Sequence, residues 1–189
     1  MLGLRHYKKT AIDLFQGDLT EFVCDAMVTA ANEQLAEGGG VDGAIRRVGG
    51  PSVADECRNI GHCPVGQAVV TKAGHLPAKG LIHCVGPVWR GGQSGEADHL
   101  RSAYERSLSL ALQNHWAHIA FPSVSTGAFA FPVREAAELA LTTIKHYLDR
   151  IENSSRPRRI SFVLFDRDTY QAYQKALFQI FPELEEAGP

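Results

Sequence analysis

Residues 28–43 constrain the fold of this chain more than any other stretch. They read Val-Thr-Ala-Ala-Asn-Glu-Gln-Leu-Ala-Glu-Gly-Gly-Gly-Val-Asp-Gly, so an apolar run with strand character enters a loop just ahead of a helical pattern. The loop has a carboxamide, Asn32, near its start, consecutive glycines Gly38, Gly39 and Gly40 in its middle, and a carboxylate, Asp42, near its end. Glycine lets phosphate oxygens approach peptide N–H groups closely, and a following helix N-terminus favours negative charge there. A phosphate-bearing small molecule is the expected ligand. The spacing matches neither GxGxxG with its later acidic residue nor GxxxxGK[ST], so neither the usual dinucleotide loop nor the Walker loop is expected.

The rest of the chain continues the strand-and-helix alternation. Strands are expected at residues 11–15, 25–31, 68–71, 81–85, 118–124 and 160–165. A short helix is expected over 43–48 with Asp42 as its N-cap, and a second runs from Pro51 to an end at Gly61. Apolar residues at helical spacing predict long helices over 98–116 and 133–151, and a closing helix over 169–178, while 91–95 reads as a flexible loop. Alternation of this kind implies an α/β sandwich with a mostly parallel central sheet covered on both faces, and ligands at the carboxyl ends of its strands.

Composition narrows the function classes. One domain, 1–189, fits the length, and 44% hydrophobic residues suffice for a sizeable core. A net charge of −2 gives no global field for nucleic acid, and the basic run at 156–159 reads as a solvated loop. No segment approaches a membrane span or a signal-peptide h-region, which sets the expectation of a cytoplasmic protein without membrane contact. Cys24, Cys57, Cys63 and Cys84 form no CxxC pair and read as reduced, idle thiols. Cys57, His62 and Cys63 lack the second ligand pair of a zinc site, so no metal is expected.

Further stretches accompany the glycine loop in order: Gln16-Gly17-Asp18-Leu19-Thr20, Asp25-Ala26, Gly49-Gly50-Pro51, Cys63-Pro64-Val65-Gly66, Leu76-Pro77-Ala78-Lys79, Val85-Gly86-Pro87-Val88-Trp89, and Phe121-Pro122-Ser123-Val124-Ser125-Thr126-Gly127. Together they resemble macrodomains of the MacroD type and their bacterial YmdB relatives, from about residue 13 to the last helix. The resemblance implies a three-layer α/β/α macrodomain that binds ADP-ribose. It implies a hydrolase acting on ADP-ribosylated proteins at acidic side chains, or deacetylating O-acetyl-ADP-ribose, with no metal or redox cofactor. A reader module that binds ADP-ribose without cleaving it, and a phosphatase acting on ADP-ribose 1″-phosphate, use the same cleft.

Site residues follow from the same resemblance. Asn32 and Asp42 are the expected catalytic pair, with Asn32 on ribose hydroxyls and Asp42 near the reacting carbon. Gly39, Gly40 and Val41 meet the diphosphate. Ser125, Thr126, Gly127 and Ala128 close over it from the opposite side, and Phe129 stacks on the distal ribose. Asp18 accepts from the adenine amino group with the Leu19 backbone beside it, and Phe165 or Asp166 borders the adenine. Each loop has an ordinary alternative: Asp42 as a helix cap, Asp18 as a turn cap, Ser-Thr-Gly as a simple turn. Two positions depart from the family pattern, Thr29 where an Asn is usual and Arg46 where a His is common. Arg46 is expected as an exposed helix-face residue; the other reading is an ion pair with Asp42.

Overall fold

The computed structural model describes residues 3–152, 155 and 157–182, so Arg156 of the basic run lies outside the described residues. Strands β1 (Leu4–Tyr7), β2 (Thr10–Gln16), β3 (Ala26–Ala30), β4 (Ala68–Thr71), β5 (Gly80–Cys84), β6 (His118–Phe121) and β7 (Arg159–Leu164) share one sheet. The order across it is β1-β2-β7-β6-β3-β5-β4. Strands β2, β7, β6, β3 and β5 run parallel, while β1 and β4 flank them antiparallel. The helices are α1 (Gly40–Gly49), α2 (Pro51–Ile60), α3 (Glu96–Gln113), α4 (Val133–Arg150) and α5 (Arg167–Ile180).

A central parallel strand buries both faces, so its period-2 alternation supplies two cores at once. On β3, Ala26 and Val28 join Tyr104 of α3, Leu141 of α4 and Tyr173 of α5. Met27 and, just beyond the strand, Ala31 face the other way, onto Ile45 of α1 and Val53 and Cys57 of α2. Phe162 and Val163 divide β7 in the same manner. Helices therefore cover both faces, and the three-layer α/β/α arrangement with a mostly parallel sheet is what the structure shows. The larger core is organised by aromatic rings: Phe121 lies 5.3 Å from Tyr104 and 5.7 Å from Phe162, and Phe162 lies 4.9 Å from Tyr173, all centroid to centroid.

Several boundaries differ from the sequence expectation for physical reasons. Strand β6 stops at Phe121 because Pro122 has no N–H for the ladder. Helix α3 starts at Glu96, whose buried carboxylate accepts backbone N–H groups of Arg90, Gly92 and Ser94. Its own and these neighbouring N–H groups hold that carboxyl below the usual range, and they tie down the loop expected to be flexible. Strand β2 was expected, but β1 and its hairpin with β2 were not. Its turn is Lys8-Lys9, with Lys8 at φ 54°, and carries no Asn-Gly or Asp-Gly signal.

All four cysteines are free and buried, and burial pushes the thiols of Cys24 and Cys84 up to about 12. No helix among the described residues is long and apolar enough to cross a membrane.

Candidate functional site

The loops that follow β2, β3, β5, β6 and β7 meet at the carboxyl ends of the parallel strands, where the chain reverses direction across the sheet. Between them lies a cleft in two continuous parts. A cavity of about 190 Å³ is lined by Asn32, Gly38, Gly39, Gly40, Val41, Asp42, Gly86, Ser123, Ser125, Gly127, Ala128 and Phe129. A second part of about 530 Å³ shares Gly40, Val41, Ser123 and Gly127, and adds Asp18, Leu19, Thr126, Phe165 and Asp166. Every site residue expected from sequence lines one part or the other.

The loop between β3 and α1 is braced from within. The Asn32 side chain accepts the Ala36 N–H at 3.1 Å and donates to the Ala36 carbonyl at 3.0 Å. Leu35 sits at φ 51°, an unfavourable conformation for a residue with a Cβ, and its N–H donates to the Asn32 carbonyl at 3.0 Å. Arg46 Nη2 donates to the Leu35 carbonyl at 2.9 Å, so both backbone groups of the strained residue are held. At the other end of the loop, α1 begins at Gly40 with Gly39 as N-cap and no side-chain cap bond. Gly40 and Val41 of that first turn line both parts of the cleft, and first-turn N–H groups have no helical carbonyl to satisfy them, which suits an anion there.

Asp42 is not the N-cap that its position before residues 43–48 suggested. It lies within the first turn of α1 and is buried. Its Oδ2 accepts from the Gly38 N–H at 2.9 Å and from Arg46 Nε at 2.7 Å, and its Oδ1 accepts from the Thr29 hydroxyl at 3.1 Å. The cap expectation failed because the helix starts earlier, at a glycine. Arg46 is likewise not the exposed residue expected: its side chain is 6% accessible and forms the i,i+4 ion pair with Asp42. Thr29 and Arg46, the two departures from the family pattern, thus converge on one carboxylate.

The opposing loop, after β6, holds Ser125 at φ 66°, again a left-handed conformation at a residue with a side chain. Its hydroxyl is buried, lines the smaller cavity, and is the buried side-chain polar atom left without a partner among the described residues. Gly86, just beyond β5, makes room for it, since a Cβ there would overlap Ser125 Oγ. Gly86 belongs to one of the stretches that carry the family resemblance but was given no role at the site; its signal is a glycine soon after a central strand. The Thr126 hydroxyl turns back onto Ser123, with the Ser123 carbonyl at 3.1 Å and hydroxyl at 2.8 Å. Phe129 is anchored through its carbonyl, which accepts the Trp89 N–H at 2.8 Å.

At the far end, Asp18 caps the turn at Leu19–Glu21: its Oδ1 accepts the Thr20 N–H and the Thr20 hydroxyl, both at 2.8 Å. The turn-cap alternative is realised, and because both bonds use one oxygen, the cap is compatible with a ligand contact at the other. Phe165, 77% exposed, and Asp166 complete this end, with Asp166 capping α5 through the Thr169 N–H.

Two other polar clusters lie outside the cleft. Asp13, Ser161 and His118 combine the residue types of a nucleophilic triad, but the Ser161 hydroxyl donates to Asp13 at 2.6 Å and faces His118 Nε2 at 2.8 Å. The carboxylate takes the serine's proton, and among the described residues no carboxylate bonds the imidazole to orient it as a base. Arg159, from the basic run, is taken up by the same Asp13. On the other side, His83 is fully buried, and the Thr71 hydroxyl, which donates to the Lys72 carbonyl at 3.0 Å, sits 2.8 Å from Nε2. Burial first, then the Arg46 charge, lowers His83 to about 4, so its imidazole is neutral near pH 7.

Comparison with known proteins places this geometry. The sequence profile described as Macro domain matches residues 28–140. An O-acetyl-ADP-ribose deacetylase of Citrobacter rodentium is 47% identical over 172 residues, covering 89% of this chain and 96% of the relative. The Oceanobacillus iheyensis macrodomain solved with ADP superposes with a TM-score of 0.87 at 31% identity, covering 95% of this chain and 97% of that one. The Trypanosoma brucei macrodomain in complex with ADP-ribose gives 0.81 at 38% identity, covering 88% and 68%. With the profile spanning both glycine-bearing loops, and the Citrobacter and Oceanobacillus proteins matching nearly end to end, the chain belongs to the macro domain family.

Proposed function

We propose that this protein is an ADP-ribose-binding hydrolase that removes the acyl group of O-acetyl-ADP-ribose and releases ADP-ribose from ester links to acidic protein side chains. Both substrates carry an ester next to the distal ribose, so one pocket serves both. The observation that carries the reading is the continuous cleft between the two loops, with α1 N–H groups along it and a buried, ionisable Asp42 at its narrow end. The names of the deacetylase relatives support it at 47% identity over most of the chain. In the reaction a water oxygen adds to the acyl carbon, the bond from that carbon to the ribose oxygen breaks, and the ribose oxygen keeps a proton from the water. The acid and ADP-ribose are the products. Asp42 is the protein group placed to accept a hydrogen bond from the water or the ribose, and Asn32 holds the loop that presents it.

A reader that binds without cleaving is the second reading, favoured by the engagement of Asp42 with Arg46. One experiment separates the two. Calorimetry with ADP-ribose should give micromolar affinity, about −7 to −9 kcal/mol. The same preparation, given O-acetyl-ADP-ribose or glutamate-linked ADP-ribosylated protein, should release free ADP-ribose. Binding without release identifies the reader, and absence of binding to the folded protein sinks both readings.

A further inference from the structure

The Asp42 carboxylate has four acceptor positions, two on each oxygen. On Oδ2 both are filled, by the Gly38 N–H at 2.9 Å and Arg46 Nε at 2.7 Å. On Oδ1 one is filled, by the Thr29 hydroxyl at 3.1 Å. The remaining position on Oδ1 is acceptor capacity that no donor among the described residues consumes, on a side chain that lines the narrow end of the cleft. Three donors from three elements, β3, the glycine loop and α1 itself, fix the carboxylate plane.

Arg46 does more than neutralise the carboxylate. Its Nε is on Asp42 and its Nη2 on the Leu35 carbonyl, so one planar guanidinium ties the strained part of the loop to the reacting end of the site. Thr29 works from the opposite side of the carboxylate, out of the sheet, where it is fully buried. Neither side chain lines the narrow cavity.

From this arrangement we infer that Thr29 and Arg46 act as a pair of positioning residues, which hold Asp42 with its last free acceptor position on Oδ1 offered to the reacting ribose or water. The inference rests on the hydrolase reading above. It assigns to the pair a contribution to turnover, exerted through Asp42, and little contribution to ligand affinity.

The test uses full-length protein and compares kcat on O-acetyl-ADP-ribose with the calorimetric Kd for ADP-ribose. Arg46→Lys keeps the buried charge but loses the planar fork, and Thr29→Val removes one hydroxyl with nearly the same shape, so both variants leave the ion balance intact. Each should lower kcat by roughly fivefold or more while Kd stays within about threefold of wild type. A second arm uses Asp42→Asn/Arg46→Met, which removes both charges together and leaves neither buried alone. Adding Thr29→Val to that background should change kcat by less than about twofold, because a residue that acts through Asp42 has nothing left to position. The inference is overturned if kcat is unchanged in both single variants, if Kd and kcat worsen by the same factor, or if the Thr29→Val loss persists in full without Asp42. Wild-type protein that binds ADP-ribose but releases no product overturns the hydrolase reading and the positioning role together. Wild-type turnover with unaffected variants overturns the positioning role alone.

Discussion

At the scale of single residues, the same carboxylate that is offered to chemistry is also a structural anchor, and the two roles have separable signatures. Asp42→Asn looks conservative, and at an N-cap it would be. Inside α1 it removes the counterion of a side chain only 6% accessible, and breaking a buried pair by deleting one partner costs about 3–5 kcal/mol. Urea unfolding of Asp42→Asn should therefore show a loss of several kcal/mol; a loss of a few tenths would mean that Arg46 finds water or another partner. Ser125 presents the opposite case. Its hydroxyl is buried and unpartnered on a left-handed backbone, a combination that persists where a ligand completes the hydrogen bond. Ser125→Ala should leave the free protein as stable as wild type, or slightly more so, and weaken ADP-ribose by roughly tenfold, about 1.4 kcal/mol. Equal affinity in calorimetry would remove that hydroxyl from the ligand's contacts.

At the scale of the element, the glycines of the loop from β3 into α1 have different jobs, and substitutions sort them. A Cβ on Gly39 or Gly40 meets open space, but Gly40 is at φ 54° while Gly39 is at φ −92°. Gly39→Glu therefore adds bulk and negative charge to the anion site without backbone strain, and should abolish detectable ADP-ribose binding while the melting temperature stays close to wild type. Gly43 is different, since a Cβ there would stand 2.7 Å from the Gly38 carbonyl. Gly43→Ala should shift the loop and lower both stability and affinity, as thermal melts and calorimetry will show. The run of glycines was legible in the sequence because backbone approach to phosphate demands it. Most of the sheet was legible too, because parallel strands buried on both faces read as short apolar runs. What the sequence did not reveal is where partnership decides: Arg46 is amphipathic enough to sit on a surface or in a buried pair, and only the neighbouring Leu35 carbonyl and Asp42 select burial. The early start of α1 was hidden because glycines have poor helix propensity, and here the first turn is held by packing and by Asp42 instead.

At the scale of the whole molecule, the charge that organises the cleft also reaches the layer beneath it. His83, opposite Thr29 in the β3–β5 ladder, is lowered to about 4, by burial first and by the Arg46 charge second. An unfolded chain returns it to the usual value near 6.5, so between those limits the unfolded state binds a proton that the folded state refuses. The folded pKa is the lower one. The stabilising contribution is therefore complete above about pH 6.5 and is lost as pH falls towards 4, by roughly 3 kcal/mol for a shift of this size. His118 is lowered as well, by burial and then by Arg159, and adds a loss of the same sign. The lowered carboxyls, such as Asp166 at the head of α5, lose their contribution only as they protonate at lower pH. Urea unfolding from pH 7 to pH 4.5 should accordingly show a steady loss of stability, and His83→Gln should flatten it by as much as one proton, about 1.4 kcal/mol per pH unit. The variant gives up the Thr71 contact and will be weaker at pH 7, but the slope and not the intercept is the readout. An unchanged slope would show that His83 takes up its proton without unfolding, and that the layer under the cleft is open to water.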